Sequence, residues 1–182
     1  MFTRYYHHNT DFLGFIITLI RILNSYKIIK GIFEGSTIYT PSMICVEDAL
    51  DGLNWAKENG GLEFLLETSK KSFDIIYNWI ENNDWVTFLS NNKSKEYLSN
   101  TSITFKICES WYLSKNEDDQ KFIVKQICKI LSEENIAYDI NGHAKAPPSF
   151  RIWGGGTVEP HNIKLLLPWL KWAYIKVKGS YA

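Results

Sequence analysis

Arg151 is the residue whose type and setting could do chemistry. It stands in Ser149 to Trp153, SFRIW, between Phe150 and Ile152, just ahead of Gly154, Gly155 and Gly156. A guanidinium is a rigid fork of donors that takes a carboxylate with two parallel hydrogen bonds. Glycines let a backbone or a ligand come close. On the residues alone two readings stand. Arg151 either grips a carboxylate beside the glycine turn, or it is a strand residue on the solvent face with an ion-pair partner. Cys45, Cys108 and Cys128 have neither disulfide nor metal-ligand spacing, so no metal site is expected and a reducing cytoplasm is.

The elements that must position Arg151 can be read from the pattern. Phe150 and Ile152 mark one face of a short strand, with Arg151 and Trp153 on the other. A helix follows the glycines, with Pro160 suited to its first turn, Glu159 near its positive end and Lys171, Lys176 and Lys178 toward the far end. Upstream, Lys27 to Gly35 reads as strand and turn, Ser36 to Ser42 as a polar loop, and Met43 to Asn59 as a helix ended by Gly60 and Gly61. Leu62 to Asn82 is a second amphipathic helix, with Leu62, Leu65, Leu66, Ser69, Phe73, Ile76, Tyr77 and Ile80 in one stripe. Trp85 to Leu89 and Thr101 to Cys108 read as strands, the latter with Ile103, Phe105 and Ile107 on one face. Asp118 to Asn135 is a helix with Phe122, Ile123, Ile127, Ile130 and Leu131 inward. Ala137 to Ile140 is expected as a short strand, and Asn141 to Pro148 as a loop. The order predicts an α+β fold with helices on one face of a mostly antiparallel sheet.

Composition bounds the function. Of the 182 residues 45% are apolar and 15% aromatic, with seven tryptophans, enough for a sizeable core. The formal net charge is zero, which argues against nucleic-acid binding. Glu34 to Asp84 holds ten acids and three lysines, a pattern of solvated helix faces. Phe12 to Leu23 is apolar but carries Arg21 and is shorter than the roughly 20 residues that a membrane span needs. It lacks a cleavage site for a signal peptide. Neither membrane span nor secretion is expected.

Three stretches carry a resemblance. GIFEGSTIYTPSMICVEDALDGLNWAKENGGLEFL resembles the segment joining the large and small domains of phosphoserine aminotransferase, whose usual form is near GxTINTPSMLCVEDYLDALNWAKSxGGL. APPSFRIWGGGTVE with LLPWLKWAY resembles the same family's APPGLRIWxGxTVE with LTPWLDWAF, and SNTSITFKI its SNTSVCLK strand. The three stand in the family's order and cover Lys27 to Tyr174. The resemblance implies the small C-terminal domain of the aspartate-aminotransferase-like (fold type I) fold, preceded by a linking helix. It implies a homodimeric enzyme using pyridoxal 5'-phosphate to exchange an amino group between phosphoserine and 2-oxoglutarate, with glutamate as the other amino acid, in serine biosynthesis.

The resemblance also implies roles. Arg151 matches the arginine that binds the substrate α-carboxylate. Thr40 matches a threonine that reaches the cofactor phosphate across the dimer, and a loop hydroxyl suits that task. The family's asparagine before it is Tyr39 here, which donates one hydrogen bond where asparagine donates two. His143 lies near a histidine that some members use for the substrate phosphate; its other reading is a plain loop histidine. Trp55 and Trp153 are expected in the core. The family's large domain carries the Schiff-base lysine, and no motif for it occurs here, so the chain alone is expected to be catalytically incomplete. Met1 to Tyr26 is expected to be atypical, altered sequence, 27–60 the end of the large domain and the linking helix, and 61–182 the small domain.

Three hypotheses follow. The chain is the C-terminal portion of a phosphoserine transaminase, as a gene fragment or as one half of a split enzyme with a separate large-domain chain. Alternatively it is a stand-alone α+β carboxylate-binding module without catalysis. The third is a membrane-surface protein anchored by Phe12 to Leu23, which the short, arginine-bearing run supports least.

Overall fold

Alternation along Ser102 to Ile107 organises the fold. The computed structural model describes residues 23–24, 27–28 and 42–181. Two units divide the chain, Met1–Leu53 and Asn54–Ala182. In the first, β1 (Leu23–Asn24) pairs antiparallel with β2 (Lys27–Ile28), Leu23 opposite Ile28. The expected strand from Lys27 to Gly35 is described only at Lys27–Ile28. Of the apolar run from Phe12 to Leu23 only Leu23 is described, and Tyr39 and Thr40 lie outside the described residues.

Helix α1 (Met43–Glu58) carries no buried residue. The helical spacing of Ile44, Leu50 and Leu53 is real, yet all three are exposed. The Asn59 side-chain amide donates to Trp55 O at 2.8 Å at its end. Gly60 and Gly61 then turn the chain at φ of 106° and 69°, where a side chain would be strained.

The second unit is a three-stranded antiparallel sheet with helices on its inner face. Its strands are β3 (Val86–Phe88), β4 (Ser102–Ile107) and β5 (Phe150–Trp153), in the order β3-β4-β5. Phe105 faces Phe88 across one ladder and Phe150 across the other. Val86, Phe88, Ile103, Phe105, Ile107, Phe150 and Ile152 form the inner face. They pack with Phe73, Ile76 and Ile80 of α2 (Gly61–Glu81). A four-residue helix α3 (Ser110–Leu113) leads into α4 (Glu117–Glu133), which adds Ile123, Ile127 and Leu131. The last helix, α5 (Pro160–Gly179), supplies Ile163, Leu167, Leu170, Ala173 and Val177. Burying each large apolar side chain contributes about 1.5–3 kcal/mol.

Four expectations are corrected. Phe122 is 53% exposed rather than inward. It precedes Ile123, and the inward stripe of α4 runs through Ile123, Val124, Ile127 and Leu131 instead. Leu62 and Leu66 of the α2 stripe are exposed, because burial in that helix begins only at Thr68. Ala137 to Ile140 is not a strand. Asp139 takes φ of 55°, which breaks extended backbone, and only an isolated bridge from Asn141 to Phe150 remains. Trp153 and Trp55 are exposed rather than core residues, Trp153 at 58% on the outer face of β5.

Candidate functional site

Arg151 is placed by the pleat. Phe150 and Ile152 are buried beneath the sheet, so Arg151 and Trp153 rise from the outer face. On β4, Thr104 lies opposite Arg151 and Ser102 opposite Trp153. The guanidinium is half-exposed, its side chain 39% accessible. Its one ion pair among the described residues is with Asp139, Nη2 to Oδ2 at 3.4 Å. That contact is long and engages one donor of the five on an arginine.

Asp139 is held in place by the backbone. The Arg151 N–H donates to Ile140 O at 2.9 Å, and Gly142 N–H donates to Ser149 O at 2.8 Å. Ala137 and Ile140 are buried on either side of it. Asp139 itself stays exposed. Of the two readings of Arg151 from the sequence, the one with an ion-pair partner named no residue for it. The signal available was an acidic residue between two apolar residues, Ala137 and Ile140, on the segment twelve residues upstream.

The glycine turn has a structural task. A Cβ on Gly156 would lie 2.9 Å from Leu65 Cα and 2.8 Å from Leu65 Cβ, so helix α2 is what comes close there. A Cβ on Gly155 would lie 2.5 Å from the Trp153 ring, so the indole folds over the turn. The residues of α2 facing inward along this half are small: Thr68, Ser69 and Ser72. The glycines therefore set the depth at which β5 and its arginine meet α2.

His143 is exposed in the loop after the Asn141 bridge. Its Nδ1 accepts from the Lys145 N–H at 3.2 Å, and its carbonyl accepts from the Ala146 N–H at 2.8 Å. The structure brings Arg151 together with Asp139, Thr104 and Trp153, and gives the His143 ring a contact within its own loop. Thr40 and Tyr39 lie outside the described residues. A groove of about 450 Å³ is bounded by Glu117, Gln120, Lys121 and the Ala144–Pro148 loop. A smaller one, about 100 Å³, adjoins Ser90, Tyr97, Ser99 and Thr104. Arg151 lines neither. No described helix is long and apolar enough to cross a membrane.

A second polar cluster lies apart from Arg151. Glu109 Oε2 accepts from Tyr174 OH and Lys178 Nζ, each at 2.5 Å, and from Trp111 Nε1 at 2.6 Å. Burial works against the Glu109 carboxylate, but hydrogen bonds from Lys178, Tyr174 and Trp111 outweigh it and hold the group below its ordinary range. This cluster ties the end of α5 to α3. Nothing in the spacing of Glu109, Trp111, Tyr174 and Lys178 announced it.

Comparison with known proteins supports the resemblance. No family model matches the chain. Phosphoserine aminotransferase of Methanosarcina barkeri (strain Fusaro / DSM 804) is 39% identical over 160 residues, which is 88% of this chain and 40% of that protein. Phosphoserine aminotransferase of Methanosarcina mazei is 37% identical over the same shares. The chain thus spans about two fifths of the curated relatives it matches. The structure of phosphoserine aminotransferase from Bacillus circulans subsp. alkalophilus matches with a TM-score of 0.61 at 17% identity, over 88% of this chain and 37% of that one. Another phosphoserine aminotransferase structure matches with a TM-score of 0.52 at 19% identity, over 68% and 30%. Fold and resemblance agree: the α+β unit described above is one that phosphoserine aminotransferases contain.

Proposed function

We propose that this chain carries the small-domain part of a phosphoserine transaminase, and that this part works together with the large domain that the family's enzymes contain. The observation that carries this reading is the 39% identity to a phosphoserine aminotransferase along 88% of the chain. An accessible Arg151, with one donor engaged by a described residue, supports it. In the proposal 27–60 joins the two domains, 61–182 is the small domain, and the assembled enzyme is a cytoplasmic homodimer acting on phosphoserine and 2-oxoglutarate.

The chemistry assigned to this chain is binding and orientation. Arg151 takes the α-carboxylate of phosphoserine or glutamate in a two-point pair, which fixes rotation about the Cα–carboxylate bond. A lysine in its place would give a point charge and leave that rotation free. Thr104, opposite Arg151 in the ladder, and Trp153, two residues along, share its outer sheet face. Pyridoxal phosphate, when bound, supplies the electron sink for amino-group exchange. The cofactor is assigned to the large domain, with Thr40 and Tyr39 contributing to its phosphate. His143 is the candidate for the substrate phosphate.

The test is complementation. The large domain of the Methanosarcina barkeri relative is purified with and without this chain, and transfer from phosphoserine to 2-oxoglutarate is measured. Activity that appears only with both chains is expected. No activity with the pair, while the intact relative is active, overturns the reading. Binding of carboxylates by the chain without activity in any pairing would favour the stand-alone module.

A further inference from the structure

Resting on the reading of Arg151 as a carboxylate site, we propose that Asp139 is a resident competitor: it occupies the guanidinium when no substrate is bound and yields to an incoming α-carboxylate. The geometry has three parts. Asp139 presents the same chemical group as the substrate, to the same guanidinium. It is delivered there by the backbone, because Ile140 O accepts the N–H of Arg151 itself at 2.9 Å. It is held weakly, by one contact at 3.4 Å with 74% of its own side chain accessible.

These features separate a competitor from a structural partner. A structural partner for an arginine would use both terminal nitrogens, at shorter range, and would be sheltered. Among the described residues the rest of the fork has no partner. An exposed pair of this kind contributes little to stability and is screened by salt. Its effect on binding is of the same small size and of opposite sign, because the substrate must displace it. The turn geometry at Asp139 also makes the site conservative. Its φ of 55° is tolerated by Asp and Asn and by few other side chains. The consequence is a site that discriminates by valence. A ligand with a two-point carboxylate replaces Asp139, whereas a singly contacting anion competes on equal terms and gains little.

The test uses the full chain and L-glutamate and O-phospho-L-serine as probes, titrated by NMR with ¹⁵N–¹H spectra as the folding control. Asp139→Asn keeps the turn and removes the charge. It is expected to bind both amino acids about threefold more tightly than the parent, the size appropriate to an exposed ion pair. Raising the salt should close that gap. Arg151→Lys should weaken binding in both backgrounds. If Arg151→Lys weakens binding but Asp139→Asn leaves it equal or weaker, the competitor role is overturned and the carboxylate site stands. If binding is absent, or indifferent to Arg151→Lys, the site assignment itself fails and the competitor with it.

Discussion

Trp85 and Tyr174 lie face to face, ring centroids 3.9 Å apart and planes 10° from parallel. Both are buried, and the Tyr174 hydroxyl emerges at the far edge to donate to Glu109. The stack therefore positions a hydroxyl, and the hydroxyl positions a carboxylate that also receives Lys178. Aromatic packing near the start of β3 is converted into a polar latch on the last turn of α5.

The latch should be visible in acid. Glu109 has a folded pKa held below its ordinary 4.5. A depressed carboxylate stabilises the fold above its unfolded pKa, and that contribution is lost as pH falls through the folded value. Glu109→Gln should therefore be less stable than the parent at pH 6–7, and the difference should shrink below about pH 4.5. Denaturant unfolding at stepped pH measures it. A difference that stays constant down to pH 3 would show that Glu109 acts by shape and not by charge. Tyr174→Phe, which keeps the stack and removes one donor, should cost about 1.5–3 kcal/mol at neutral pH.

Thiol chemistry should sort the cysteines. Cys128 is pushed up to about 12, first by burial, so at pH 8 about one molecule in ten thousand carries its thiolate. Cys108 is raised too, chiefly by burial. Cys45 is exposed on α1. Iodoacetamide at pH 8 should label Cys45 first and Cys128 last, read by peptide mass spectrometry over time. Fast labelling of Cys128 in folded protein would mean that α4 opens locally far more often than a buried helix should.

The glycine turn should tolerate no side chain at Gly156. A Cβ there meets backbone of α2, which cannot rotate aside as a side-chain tip can. Gly156→Ala should cost about 1–3 kcal/mol, a fall of several degrees in melting temperature. Gly179→Ala, with nothing within 4 Å, is the control and should change little. Equal melting temperatures for Gly156→Ala and the parent would show that the turn and α2 are not packed as described.

What the residues made legible follows from how local each signal is. Alternation in Ser102 to Ile107 and the proline and glycine punctuation around α5 are short-range, and both elements stand where the pattern put them. The inward face of Phe150 and the outward face of Arg151 follow from the pleat alone. The failures are tertiary. Leu62 and Leu66 continue a helical stripe past the point where anything covers it, and Phe122 lies one residue off the buried line. The lost strand at Ala137 to Ile140 turned on one backbone angle at Asp139, which composition does not reveal. Asp139 also shows why the site was half-read. An arginine's role can be inferred from its own strand, whereas its partner arrives on another segment, twelve residues upstream.

Arg151 and His143 should separate by substrate when the large domain is supplied by the Methanosarcina barkeri relative. Amino transfer requires the substrate's Cα substituents to be held in one orientation, and a two-point arginine–carboxylate pair sets it. Arg151→Lys keeps the charge and loses the fork, so kcat/KM should fall by about 2–4 kcal/mol, or roughly 30- to 900-fold. The loss should be similar for phosphoserine and glutamate, because both present an α-carboxylate. His143→Ala should behave differently. If its imidazole reaches the substrate phosphate, phosphoserine suffers and glutamate barely changes. His143 now spends Nδ1 on the Lys145 N–H, which leaves Nε2 to donate. Circular dichroism must show each variant folded, since Arg151 also joins the Asp139 segment to β5. Near-full activity of Arg151→Lys with both substrates would return Arg151 to the status of a strand residue with a weak ion pair, and equal losses with both substrates in His143→Ala would remove the histidine from the phosphate site.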